Sequence, residues 1–133
     1  MVASSPMFSW KRPANLGVRD GRLAPCKRSP NCVSSQADPS DREHYIAPIA
    51  FAGSMQQLRR AIEALALATI VEEKGNYLYA EFRTPILRFV DDVELYLDQG
   101  LIQVRSASRL GRRDFRANRN RVEQLRALIQ ALR

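Results

Sequence analysis

Phe89-Val-Asp-Asp-Val-Glu-Leu-Tyr-Leu-Asp-Gln-Gly-Leu-Ile-Gln-Val-Arg-Ser-Ala-Ser-Arg109 decides the fold. Apolar and polar side chains alternate along both halves, with Gln99-Gly100 between them, the pattern of a β-hairpin with one face in a core. Phe89, Val93, Leu95 and Leu97 share one face, as do Ile102, Val104 and Ser106 on the return arm. A slip of one residue would exchange the faces, so the register is set: Leu97 opposes Ile102, Leu95 opposes Val104 and Glu94 opposes Arg105.

The preceding segment, Thr69 to Thr84, reads as a second hairpin turning at Lys74-Gly-Asn76. In its second arm Leu78, Ala80 and Phe82 face one way and Tyr77, Tyr79, Glu81 and Arg83 the other. If this arm pairs with the first arm of the next hairpin so that Phe82 opposes Asp91, then Glu81 faces Asp92. Like charges directly opposed are destabilising. Arg83 and Arg105, a shared proton or a bound cation would have to neutralise them, or the register slips by two residues.

Helices flank this sheet in the sequence. Ser54 is placed to cap one in which Leu58, Ile62, Leu65 and Met55 recur at helical spacing, ending near Ala68. Asn118 is placed to cap the last, whose apolar stripe is Val122, Leu125, Ile129 and Leu132. His44 to Phe51, broken by Pro48, suits an edge strand. The expected fold is α+β: an antiparallel meander of four to five strands with two helices on one face.

Residues 1 to about 40 are proline-rich and without hydrophobic period. We expect residues 1–24 to be extended or flexible and residues 25–133 to form a single domain. At 133 residues, 45% hydrophobic and 26% charged, one core is expected. The longest apolar run, Ala64 to Val71, falls short of the ~20 residues of a membrane span. The first residues lack the basic start and apolar stretch of a secretory signal, so the expected location is cytoplasmic.

The net charge of +7 is confined to one region. Residues 105–133 hold nine arginines against Asp114 and Glu123, while residues 1–104 carry twelve basic and twelve acidic side chains. Such a region can meet nucleic acid or another anion. A solvated helix face in an arginine-preferring chain is the plainer reading.

Two features could carry chemistry. The sheet face formed by Tyr79, Glu81, Asp92, Glu94, Tyr96 and Arg105, with Arg109 beyond, interleaves aromatics with charge as small-molecule sites do. Antiparallel sheets also commonly leave one polar face in water. Asp92 and Glu94 lie about 7 Å apart along one strand, a spacing open to paired-carboxylate catalysis. The second feature is Cys26 and Cys32, with five residues between them. A structural disulfide, a redox-responsive pair, and a Cys32 nucleophile with His44 as base are all open to it. Two cysteines and one histidine fall short of a zinc set, and no cofactor motif is present, so neither metal nor cofactor is expected.

Ser29-Pro-Asn-Cys-Val-Ser-Ser-Gln36, Phe89-Val-Asp-Asp-Val-Glu94, Val104-Arg-Ser-Ala-Ser-Arg-Leu-Gly111 and Asn118-Arg-Asn-Arg-Val-Glu-Gln-Leu-Arg126 together resemble the family known as domain of unknown function 1499. The resemblance runs from about Leu16 onward. The family tends to have Cys-Pro where this chain has Cys26-Lys27, and Tyr or Ser where it has Arg113. It implies no established reaction, and its bacterial and plastid members, some exported or anchored, leave the compartment open. The function expected is noncatalytic binding of a small polar or anionic ligand on the charged-aromatic face. A small hydrolase using Asp92 and Glu94, or Cys32 and His44, is the alternative, and nucleic-acid binding through the arginine-rich region comes third.

Overall fold

A computed structural model describes residues 11–109 and 115–132. Residues 1–10 of the expected extended segment, and Arg112, Arg113, Asp114 and Arg133 of the basic region, lie outside the described residues. The elements are β1 (Val18–Arg19), β2 (Arg22–Leu23), β3 (Cys32–Ser34), β4 (Ile49–Ala50), α1 (Met55–Glu63), β5 (Ala68–Lys74), β6 (Tyr77–Arg83), β7 (Val90–Asp98), β8 (Leu101–Ser108) and α2 (Phe115–Gln130).

The architecture is α+β. Strands β3, β8, β7, β6 and β5 lie side by side in that order, and β4 pairs with β8 along the edge that β3 also uses. The sheet therefore has six strands rather than four to five. The addition is β3, whose three residues are too few to show alternation. The named strands pair antiparallel, with one isolated parallel bridge between Ser34 and Tyr45, and the central register is the one the sequence dictates, with Leu97 opposite Ile102, Leu95 opposite Val104 and Glu94 opposite Arg105. Phe82 opposes Asp91 and Glu81 opposes Asp92. Gln99 and Gly100 both take positive φ in a two-residue turn that matches the twist of the strands.

Both helices pack on the apolar face, where Leu58, Ile62, Leu78, Leu95, Val104 and Ile129 are among the fully buried side chains. Each such residue contributes about 1.5–3 kcal/mol by leaving water. Ser54 caps α1 as expected and forms a reciprocal capping box with Gln57. The helix stops at Glu63, earlier than the expected end near Ala68, because Ala68 already begins β5 and the chain between them turns. Leu65 still reaches the core from that turn.

Asn118 does not cap α2. The helix already runs from Phe115, and Asn118 lies fully buried inside its first turn. It accepts a hydrogen bond from Ser106 Oγ at 2.7 Å and donates to Asn31 O at 3.0 Å and Ser108 Oγ at 2.9 Å, locking α2 to β8 and to the residue before β3.

The second face of the sheet is not left in water, contrary to the plainer sequence reading. The β1–β2 hairpin lies over it, and Leu16, Val18 and Leu23 pack against Tyr77, Tyr79 and Tyr96. Strand β6 is consequently buried on both faces from Tyr77 to Phe82. No helix among the described residues is long and apolar enough to cross a membrane.

Candidate functional site

Alternation along β6 and β7 sends Tyr77, Tyr79 and Glu81, and across from them Asp92, Glu94 and Tyr96, to the covered face. Glu81, Asp92, Glu94 and Arg105 are all buried there. Charges taken out of water must be paired and hydrogen-bonded or they are costly. Two networks result, and they differ in how well that requirement is met.

The first is complete. Arg109, just past the end of β8, turns back so that its Nη2 lies 2.6 Å from Glu81 Oε2 and 2.8 Å from Asp92 Oδ1, while Nε donates to Asp92 Oδ2 at 2.9 Å. Tyr79 donates its hydroxyl to Asp92 Oδ1 at 2.5 Å. Arg12 approaches Glu81 Oε2 at 2.8 Å from the chain that covers the face. The opposed Glu81 and Asp92 are thus reconciled by Arg109 and Arg12. Arg83 makes only a 3.4 Å approach to Glu81, and Arg105 makes none. Burial favours a protonated Glu81, but Arg12 and Arg109 outweigh it and its pKa falls below the ordinary value. Burial, aided by Asp92, drives the Tyr79 hydroxyl far above its ordinary pKa.

The second is incomplete. Glu94 Oε2 accepts from Tyr77 Oη at 2.5 Å and from the Gly17 amide at 2.7 Å, but Oε1 has no hydrogen-bond partner. Arg105 stands opposite, as the register requires, yet its Nη1 remains 3.6 Å from Oε1. Its Nη2 is 3.4 Å from Pro25 O, and its buried Nε has no partner. Burial raises the pKa of Glu94 and lowers that of Arg105, each toward its neutral form.

Arg105 borders a cavity of about 730 Å³. Lys11 and Lys27 stand at its exposed rim, and Arg109, Asp92 and Ser108 also line it. Arg109 is engaged by Asp92 and Glu81, so Lys11, Lys27 and the loosely paired Arg105 supply the attraction of this space for anions. Another wall is the ring closed by the Cys26–Cys32 disulfide, which carries Lys27, Ser29 and Asn31 into the lining.

Of the residues singled out in the sequence, Tyr79, Glu81, Asp92 and Arg109 come together in the first network and Glu94 and Arg105 in the second. Tyr96 packs among apolar residues of the covering hairpin. Cys32, bonded to Cys26, offers no thiol nucleophile. His44 sits between Asp41 Oδ2 at 2.8 Å and Ser29 O at 2.9 Å, so both ring nitrogens face acceptors. Burial disfavours its imidazolium, but Ser29 and Asp41 outweigh burial and the pKa is raised. No cluster of metal-ligating side chains occurs among the described residues.

Sequence reasoning missed Lys11, Arg12, Gly17, Lys27 and Asn31. They belong to a segment without periodicity, and no local signal ties them to residues some 70 positions later. It also missed Arg121, which pairs with the fully buried Asp91 at 2.9 Å and stacks on Phe82 with its guanidinium carbon 4.8 Å from the ring centre.

A family model described as "Protein of unknown function (DUF1499)" matches residues 22–129. Comparison with curated proteins and with solved structures finds no match.

Proposed function

The chain belongs to the domain of unknown function 1499 family, and we propose that this protein is a noncatalytic binding domain for a small anion, seated in the cavity beside Arg105. The observation that carries the reading is a buried guanidinium whose Nε lacks a partner and whose counter-charge is held off at 3.6 Å. Buried arginines are ordinarily saturated with acceptors, and a carboxylate or phosphate in the cavity would give this loosely paired guanidinium a counter-charge. Lys11 and Lys27 at the rim would steer such a ligand inward.

The other readings have less support. Asp92 is held by Arg109 and Tyr79, and Glu94, with one oxygen on Tyr77 and Gly17, is fully buried and does not line the cavity, so neither carboxylate is placed for acid–base work on a ligand there. In the basic region Arg105 and Arg109 face inward, Arg121 pairs with Asp91, and Arg126 donates to Ala47 O and Pro48 O. Four of the nine arginines of that region are thus engaged within the fold rather than turned to a phosphate backbone. A closed disulfide is at home in an oxidising compartment, which favours export over the cytosol.

Thermal unfolding and calorimetric titration with phosphate, sulfate, succinate and citrate test the proposal. A ligand at 100 times its Kd stabilises by about 2.7 kcal/mol, and Arg105→Met should abolish that gain. Absence of stabilisation by all four anions, or full stabilisation of Arg105→Met, sinks the reading.

A further inference from the structure

The connection from β6 to β7 holds an unusual turn, at the end of the sheet where the Arg109 amide meets Val90 O. Leu87 donates its amide to Pro85 O at 2.7 Å, and Ile86 between them has φ 68°. That is a three-residue turn of the strained hand. Arg88 follows at φ 60°. Left-handed backbone is uncommon for any side chain and exceptional for a β-branched one. The turn is nevertheless pinned from three sides, by Thr84 N to Phe89 O at 2.8 Å, Arg88 N to Thr84 O at 3.1 Å and Phe89 N to Thr84 Oγ1 at 2.9 Å.

The pinned turn holds two adjacent aliphatic side chains out in water, Ile86 at 92% exposure and Leu87 at 52%. Exposed Leu67 belongs to the same end of the sheet, since its carbonyl accepts from the Arg83 amide at 2.9 Å. Arg83 and Arg88 border a shallow hollow there together with Leu67. Residues 64–71 and 82–90, which form this end, contain no Asp or Glu. Strain maintained at a surface position is a mark of function rather than of packing.

We infer that this end of the sheet docks on an anionic lipid surface, with Ile86 and Leu87 entering the interface and Arg83 and Arg88 meeting the headgroups. Aliphatic tips flanked by cations match both layers of such a surface. None of these residues lines the Arg105 cavity, so the contact is a surface of its own.

Flotation with vesicles of phosphatidylcholine containing about one-third phosphatidylglycerol, set against pure phosphatidylcholine, reads the contact. The protein should float with the anionic vesicles, and Ile86→Ser with Leu87→Ser, which leaves the charge unchanged, should lower the bound fraction at least about fivefold. Ile86→Gly should raise the unfolding midpoint, since glycine accepts φ 68°, while binding falls. No flotation of the wild type, or unchanged flotation of the double serine variant, overturns the inference. The first outcome would leave the patch to a protein partner, the second would assign retention to net charge alone.

Discussion

Glu81 and Asp92 face each other across the β6–β7 ladder as two buried carboxylates, and one nitrogen, Nη2 of Arg109, lies within 2.8 Å of both. The repulsion built into the register is cancelled by a residue beyond the last strand, so the sheet and its end depend on each other.

Removing that nitrogen should be severe. Arg109→Met leaves two opposed buried carboxylates and should cost about 3–5 kcal/mol in urea unfolding. Adding Glu81→Gln should return part of the loss. Additive losses in the double variant would show that the two residues are not coupled.

Asn118 fastens α2 to β8 through three hydrogen bonds in a fully buried position. Asn118→Leu, of similar size, removes all three bonds and strands the Ser106 hydroxyl, while Asn31 O keeps the Ser108 amide and Ser108 Oγ keeps Asp91, and it should destabilise by about 1–3 kcal/mol. A change below about 0.5 kcal/mol in equilibrium unfolding would contradict this.

His44 carries a pKa raised above its ordinary 6.5 by Ser29 and Asp41, against burial. The folded state holds this proton more tightly than the unfolded state. Its stabilisation is therefore complete below the unfolded value and lost as pH rises through the folded one. Stability should decline as pH rises above the ordinary value of about 6.5, and His44→Gln should flatten that slope. An unchanged profile in the variant would assign the slope to other groups.

The disulfide holds one wall of the cavity. Ser29, Asn31 and Cys32 are tied independently, through His44, Ser108 and the pairing of β3. Leu23 is held by Gln36. Between them, Pro25 is held by the 3.4 Å approach of Arg105 and Cys26 by its bond to Cys32. Reduction with dithiothreitol should lower stability by about 2 kcal/mol through loop entropy and leave the sheet's circular dichroism intact. It should also weaken phosphate binding, because Lys27 leaves the rim. Equal phosphate affinity in both redox states would exclude the ring from the site.

What the sequence revealed follows from where its periodicity is strong. Val93, Leu95 and Leu97 against Ile102 and Val104, with Gln99-Gly100 between, leave one register open, and with it the facing pair Glu94–Arg105, whereas Glu81–Asp92 is one of two registers that the β6–β7 pairing allows. The conflict at Glu81 was therefore readable, but its resolution was not. Arg109 acts from beyond the strand, and Arg12 comes from 69 residues away. Strands of two or three residues, such as β1, β2 and β3, are too short for alternation to show. The cover over Tyr77 and Tyr79, and the closing of the polar face into an interior, were hidden for that reason. Likewise Ala64 to Leu67 has a composition that suits a helix, and only the strand that follows ends it.

The Gly17 amide closes on Glu94, 77 positions further along the chain. During synthesis the covering segment leaves the ribosome well before its seat exists, since the seat requires β6, β7 and Arg109 together. Docking of the cover must then be a late step, taken after the meander has formed. Until it occurs, the tyrosine-rich face is open to the solvent and to neighbouring nascent chains, and the yield of folded protein will turn on how quickly that earlier segment finds its place.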